Sequence, residues 1–165
     1  MIYALEAPKV GGATMFADTI AAYAALPEQT RAQIDTLQVQ HSLCAAPPLA
    51  EESMHARAPN PDATVLHSLV MTHPVTGEKS LFLSGTAYNI VGWDSERSTQ
   101  LIRNLREHMV QAAFRQSYKA EAGDIVLWDN YAVVHSATPI EYSNEDGKRR
   151  VLQRISTKGL PALVA

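Results

Sequence analysis

Gly123-Asp124-Ile125-Val126-Leu127-Trp128-Asp129-Asn130-Tyr131-Ala132-Val133-Val134-His135-Ser136-Ala137, followed by Arg149-Arg150-Val151-Leu152-Gln153-Arg154-Ile155, is the stretch on which the fold turns. β-Branched and apolar residues cluster over Asp124–Trp128, Tyr131–Ala137 and Arg149–Thr157, with Asp146-Gly147 as a turn before the last run. The pattern predicts three closing strands. Upstream, Asp94 can cap a helix running to about Gln111, with Leu101, Leu105 and Met109 recurring on one face. Leu66–Thr72 and Lys79–Leu83 read as strands joined by the turn Val75-Thr76-Gly77-Glu78. Pro47, Pro48, Pro59 and Pro61 mark Ala45–Asp62 as a long loop, of the kind that is a lid, a binding loop or disordered.

At the other end, Ile2–Ala7 suits a strand ended by Pro8, and Gly11-Gly12-Ala13-Thr14 suits a flexible connection. Asp18 is a candidate N-cap for a helix to Leu26. A second helix starts at Pro27 and carries Glu28, Arg31, Ile34 and Leu37 at helical spacing, so that the two form an insertion. Helices cluster instead of alternating with strands, which argues against a doubly wound α/β fold. A mainly β chain with helical insertions, an antiparallel sandwich or jelly roll, fits the order better.

Composition narrows the function. With 165 residues the chain is one domain, and 46% hydrophobic with 19% charged residues describes a globular protein. Fourteen basic against seventeen acidic residues, a net charge of −3, supply neither a nucleic-acid stripe nor a polybasic membrane anchor. There is no apolar run of about 20 residues and no signal-peptide pattern at Met1–Glu6. A single cysteine, Cys44, cannot form an internal disulfide; a cytoplasmic protein is expected.

The strand period places Arg150, Leu152 and Arg154 on one face, where two guanidinium groups can hold a carboxylate or sulfonate. The competing reading is an edge strand with solvated charges. Tyr131, Val133 and His135 likewise share a face, and a lone strand histidine is as a rule a hydrogen-bonded structural residue. His41 and Cys44 with His55, His67 or His73 match no compact zinc spacing. Cys44 beside His41 lacks an orienting partner for nucleophilic chemistry. Gly11-Gly12 lacks the Lys of a phosphate loop.

In order along nearly the whole chain, Gly11-Gly12-Ala13-Thr14-Met15-Phe16, His73-Pro74-Val75-Thr76-Gly77, Gly123–Asn130, His135 and the Arg149–Arg154 strand resemble the TauD/TfdA-like family. Its members are Fe(II)- and 2-oxoglutarate-dependent dioxygenases with a double-stranded β-helix. The resemblance implies that His135 ligates the iron and that Thr14 and Arg150 bind the far carboxylate of 2-oxoglutarate. It implies that Arg154 meets the anionic group of a small organic substrate and that Trp128 lines the site. Oxygen is then consumed, and succinate and carbon dioxide are released as the substrate is hydroxylated.

The family's iron sits in a two-histidine, one-carboxylate facial triad. Its first histidine and carboxylate come from His-x-Asp or His-x-Glu. The six histidines here are followed two positions later by Leu43, Arg57, Leu69, Val75, Val110 and Ala137. The expectation is a single domain over residues 1–165 that lacks its N-terminal strands, holds one of three ligands and binds Fe(II) weakly. Unpaired strand edges would then favour a homo-oligomer. A non-catalytic anion-binding or assembly module is the competing function.

Overall fold

The computed structural model describes residues 1–42, 64–140 and 143–157. In chain order these form β1 (Ile2–Glu6), β2 (Thr14–Asp18), α1 (Thr19–Ala24), α2 (Glu28–Ile34), β3 (Gln38–His41), β4 (Val65–Ser68) and β5 (Val70–Thr72). There follow β6 (Lys79–Leu81), β7 (Ala87–Ile90), α3 (Ser95–Met109), a 3-10 turn (Ala112–Phe114), β8 (Arg115–Tyr118), β9 (Ile125–Val126), β10 (Val133–Ala137) and β11 (Val151–Arg154). Among the described residues the strands pair in the orders β11-β1-β9, β10-β2-β8, β4-β3-β7 and β5-β6. All of these pairings are antiparallel.

The three closing strands and the β5–β6 hairpin lie where the sequence puts them. Gly77 turns the hairpin with φ +76, in the left-handed region that favours glycine. The run Leu66–Thr72 is not one strand. It divides at buried Leu69, whose N–H donates to the Leu37 carbonyl and whose own carbonyl accepts from Phe82 N–H, so β4 and β5 join different sheets. β2, β3, β7 and β8 are further strands that the sequence reading passes over.

Asp18 closes β2 and opens α1, its side chain accepting from the N–H groups of Ile20 and Ala21. Asp94 caps α3 by accepting from Arg97 N–H. The inner faces of α1, α2 and α3 bring Ala22, Tyr23, Leu26, Ile34, Ile102, Leu105 and Met109 into one core with Val39, Leu69, Leu81 and Ile90. The helices between β2 and β3 are thus part of the packing, since their apolar stripes need the sheet residues to cover them. No described helix is long and apolar enough to cross a membrane.

Directly paired residues of antiparallel strands project to the same face. Ile2 pairs with Arg154 and with Val126, and Ala4 pairs with Leu152. Ile2 and Ala4 are buried, so the face carrying Arg150, Leu152 and Arg154 is turned inward. On the other sheet His135 pairs with Phe16, and Ala137 with Thr14. These two faces look at one another across the sandwich, and they carry the residues of interest.

Candidate functional site

Immediately before β11 stand two adjacent arginines that point in opposite directions. Arg149 faces outward and grips Glu6, its Nε and Nη2 each donating to a carboxylate oxygen at 2.8 Å. Arg150 faces inward, and its Nη2 donates to Thr14 Oγ1 at 3.1 Å. Thr14 is buried, so this pair sets a cation beside a hydroxyl in a sheltered place between the sheets. That combination suits one carboxylate: a fork of N–H donors with charge, completed by an O–H.

The backbone is shaped to let Arg150 in. Gly12 adopts φ +70, and a Cβ built there would lie 2.7 Å from Pro8 Cγ and 3.3 Å from Arg150 Cδ. A side chain at this position collides with the ring and crowds the arginine. The Gly11-Gly12 pair is no phosphate loop; it is a close approach of chain to the Arg150 stem, a role that composition alone does not reveal.

On the same face of β10 and β2, the ring of Trp128 stands 4.6 Å from that of His135 and 5.5 Å from that of Phe16. His135 and Phe16 are 6.2 Å apart. Partial desolvation holds the His135 pKa below its ordinary value of 6.5, with smaller contributions of the same sign from the Arg154 guanidinium and the terminal amine. The imidazole is therefore neutral near pH 7, the form that donates a lone pair to a metal. His135 and Arg154 both border a cavity of about 990 Å³, which also touches Phe16, Tyr88, Arg106 and Asn130. Thr14, in the same sheet as His135, and Arg150 and Trp128 are not among this cavity's described walls.

A neutral imidazole and a guanidinium–hydroxyl pair on facing sheets are the donor chemistry that Fe(II) and a dicarboxylate cosubstrate require. Among the described residues, no group of three or more His, Cys, Asp or Glu side chains is disposed to hold a metal ion. A metal site that included His135 is therefore not complete among the described residues.

The other histidines have different employment. His41 is buried, with Nδ1 at 3.0 Å from Thr86 Oγ1 and 3.3 Å from Ser84 Oγ. Its ring meets His67 edge-on at 5.3 Å. Burial, reinforced by His67 and Arg106, lowers its pKa to about 4. Cys44 and His55, the remaining members of the zinc and nucleophile readings, lie outside the described residues, as does the whole of the expected loop Ala45–Asp62. His73 lies on the β5–β6 hairpin and donates from Nε2 to Asp129 Oδ2 at 3.0 Å. Sequence reasoning picks out both motifs separately, but their contact spans 56 positions and leaves no local trace.

Residues 1–156 match the family model described as "Taurine catabolism dioxygenase TauD, TfdA family". The (S)-phenoxypropionate/alpha-ketoglutarate-dioxygenase of Delftia acidovorans is 36% identical over 141 residues, which cover 82% of this chain and 48% of that protein. The alpha-ketoglutarate-dependent 2,4-dichlorophenoxyacetate dioxygenase of Cupriavidus pinatubonensis is 32% identical over 158 residues, covering 95% of this chain and 54% of that protein. Among solved structures, AAD-2 in complex with Mn(II) and N-oxalylglycine superposes with a TM-score of 0.79 at 32% identity, covering 92% of this chain and 59% of that one. The chain spans about half the length of the curated relatives it matches. Similarity of this extent, over a jelly-roll frame, establishes that the chain belongs to the TauD/TfdA family.

Proposed function

We propose that this chain serves an Fe(II)- and 2-oxoglutarate-dependent dioxygenase that hydroxylates a small anionic organic substrate and releases succinate and carbon dioxide. The observation that carries the reading is the Arg150–Thr14 hydrogen bond at 3.1 Å across the facing sheets. Arg150 and Thr14 take the far carboxylate of 2-oxoglutarate, the charge supplied by one and the final hydrogen bond by the other. His135 is a metal ligand, kept neutral by its partly desolvated place. When bound, the iron supplies oxygen activation coupled to decarboxylation of the cosubstrate. Trp128 and Phe16 wall one side of His135 and restrict water there.

Arg154 lies near enough to His135 to influence its titration, and it borders the cavity. We assign it to the anionic group of the primary substrate. The names of the two curated relatives suggest aryloxyalkanoates as first candidates, since their carboxylate suits a guanidinium and their ring suits an apolar wall. The single cysteine supports a cytoplasmic setting. Self-association is supported by the outer face of the β1 sheet, where Tyr3, Leu5, Ile125, Val151 and Ile155 are all exposed; sedimentation at low micromolar concentration measures it.

Calorimetric titration with 2-oxoglutarate tests the assignment. Arg150→Ala is expected to lose about 2–5 kcal/mol of binding free energy, as when a sheltered charge loses its partner. Arg154→Ala is expected to leave 2-oxoglutarate affinity nearly intact and to weaken phenoxypropionate. Equal losses of 2-oxoglutarate in both variants overturn the roles. Binding of 2-oxoglutarate without succinate release, with Fe(II), oxygen and substrate present, turns the reading toward a non-catalytic anion-binding module.

A further inference from the structure

The crossover between β9 and β10 carries Trp128, and its most distant tether is a histidine–aspartate contact that the roles above leave unused. His73 is buried at the turn of the β5–β6 hairpin. Its Nδ1 accepts from two backbone N–H groups, those of Val75 at 3.2 Å and Thr76 at 3.1 Å. Those two bonds fix the tautomer, because a nitrogen that accepts carries no proton, and Nε2 is left as the N–H donor. That donor points at Asp129 Oδ2, 3.0 Å away.

Asp129 spends its other groups on the crossover itself. Oδ1 accepts from Tyr131 N–H at 2.7 Å, and its carbonyl accepts from the N–H groups of Ala132 and Val133. The His73 hydrogen bond, followed by that from Tyr131, holds the Asp129 carboxyl below the usual carboxylate range. The neighbouring Trp128 Nε1 donates to Asn130 Oδ1 at 3.0 Å, and the Trp128 ring then rests 4.6 Å from His135. The far end of the crossover has its own anchor, with Thr19 N–H and Oγ1 both donating to the Ala132 carbonyl. Nothing else among these bonds joins the Trp128 end to a rigid element.

We infer that His73 and Asp129 are positioning residues: the hairpin, through this hydrogen bond and the edge-on contact of the His73 ring with Tyr131 at 5.8 Å, holds the Trp128-Asp129-Asn130 turn so that the indole stays against His135. The inference rests on the reading of His135 as a metal ligand for its functional consequence, and on geometry alone for its mechanism. A hairpin cap that merely stabilised β5–β6 would need the two Nδ1 contacts only. The Nε2–Asp129 contact leaves the hairpin and reaches the β9–β10 crossover, which is what a positioning tether does.

The test uses the whole chain in a Trp93→Phe background, with selective tryptophan excitation, so that Trp128 is the one tryptophan read. His73→Ala and Asp129→Ala are each expected to shift Trp128 emission to the red and to raise its quenching by acrylamide about twofold, as the turn opens locally. The double variant is expected to fall short of the sum of the single ones, because both remove the His73–Asp129 bond, while His73→Ala also loses the Tyr131 ring contact and Asp129→Ala the Tyr131 N–H bond. Asp129→Ala leaves the hairpin cap of His73 untouched, so it answers the question even where His73→Ala disturbs the hairpin. Unchanged emission in Asp129→Ala, or additive changes in the double variant, overturns the tether. Quenching of Trp128 by millimolar Co(II) in the parent and its loss in His135→Ala report separately on the ligand reading. Emission shifts without Co(II) quenching keep the tether and remove the ligand role. Quenching that persists with unshifted emission in Asp129→Ala does the reverse.

Discussion

The core under α1 and α3 and the face around His135 are held by different forces. In the first, Ile34, Val39, Leu69 and Ile90 are completely buried, and the sheet β4-β3-β7 and the hairpin close on the helices with apolar contact. In the second, β8 is exposed along its whole length and β11 nearly so. What orders that region is a small set of directional contacts, Arg149 to Glu6, Arg150 to Thr14 and His73 to Asp129. Apolar burial is worth roughly 25 cal/mol per Å² and is indifferent to direction, whereas a half-exposed polar contact adds little energy but fixes an angle. Stability and site geometry are therefore expected to separate under mutation.

The largest effect belongs to the core. Ile90→Ala removes a fully buried side chain from β7, at a contact with α3 that Ser98 Oγ secures by accepting Ile90 N–H. A loss of about 2–5 kcal/mol is expected in urea denaturation, with the spread set by how far the site can collapse. Phe16→Ala on the His135 face should cost clearly less. Equal costs would break the division between the two regions.

The core was the more legible half. Asp18 and Asp94 announce their helices, and the Leu105–Met109 stripe shows which face is covered. The missed strands share a cause. β2 starts one residue after a Gly-Gly pair and ends on a residue that also caps α1, so neither boundary looks like a strand's. β3 (Gln-Val-Gln-His) and β8 (Arg-Gln-Ser-Tyr) are too polar for propensity to select, and only neighbouring strands make them regular. Leu66–Thr72 reads as one run because no Gly or Pro interrupts it, while the change of sheet at Leu69 is a tertiary event. For the site, Arg150, Arg154 and His135 stand out through residue type and strand period. Gly12 and the His73–Asp129 contact depend on distant segments meeting in space, and no local pattern encodes that.

Gly12 sharpens the comparison through a matched pair. Gly77 has nearly the same backbone angle, φ +76, with nothing within 4 Å of a built Cβ. Gly77→Ala thus carries backbone strain alone, about 1–2 kcal/mol. Gly12→Ala adds the collision with Pro8 and the crowding of Arg150, for a total of about 2–4 kcal/mol. It should also weaken 2-oxoglutarate binding, which Gly77→Ala should not. Thermal melts and calorimetry on the two variants separate strain from site damage.

A third expectation returns to the core through pH. His41 has a folded pKa of about 4 against an ordinary value of 6.5. Between those values the unfolded chain binds the proton and the folded one does not, so falling pH favours unfolding. The contribution of His41 is intact above pH 6.5 and is lost progressively as pH falls toward 4. A loss of about 1–3 kcal/mol is expected over that range. His135, depressed in the same direction, adds to the slope with the same sign. His41→Gln should flatten the dependence of the urea midpoint on pH, and a slope unchanged by that substitution would show that burial is not what governs this histidine.

The smallest effect is expected where the directional contacts matter most. Arg149 and Glu6 form a two-pronged pair, yet both side chains are more than a third exposed. Solvent and salt screen such a pair, so Glu6→Gln should cost less than about 1 kcal/mol, and the cost should shrink as salt rises. The pair nevertheless lies at the irregularity between Ala4 and Glu6 where β1 and β11 shift register. A slip of one residue there would turn Arg149 inward and Arg150 outward, because strand side chains alternate. Buried Ile2 and Ala4 already oppose that slip through their pairing with Arg154 and Leu152. Apolar burial is therefore expected to hold the register, and Glu6→Gln should leave 2-oxoglutarate affinity unchanged. A cycle of Glu6→Gln, Arg149→Met and the double variant, followed by both urea denaturation and titration, measures the two quantities together. If affinity falls while stability does not, the salt bridge rather than the core sets the direction of Arg150, and the geometry of the site rests on charge alone.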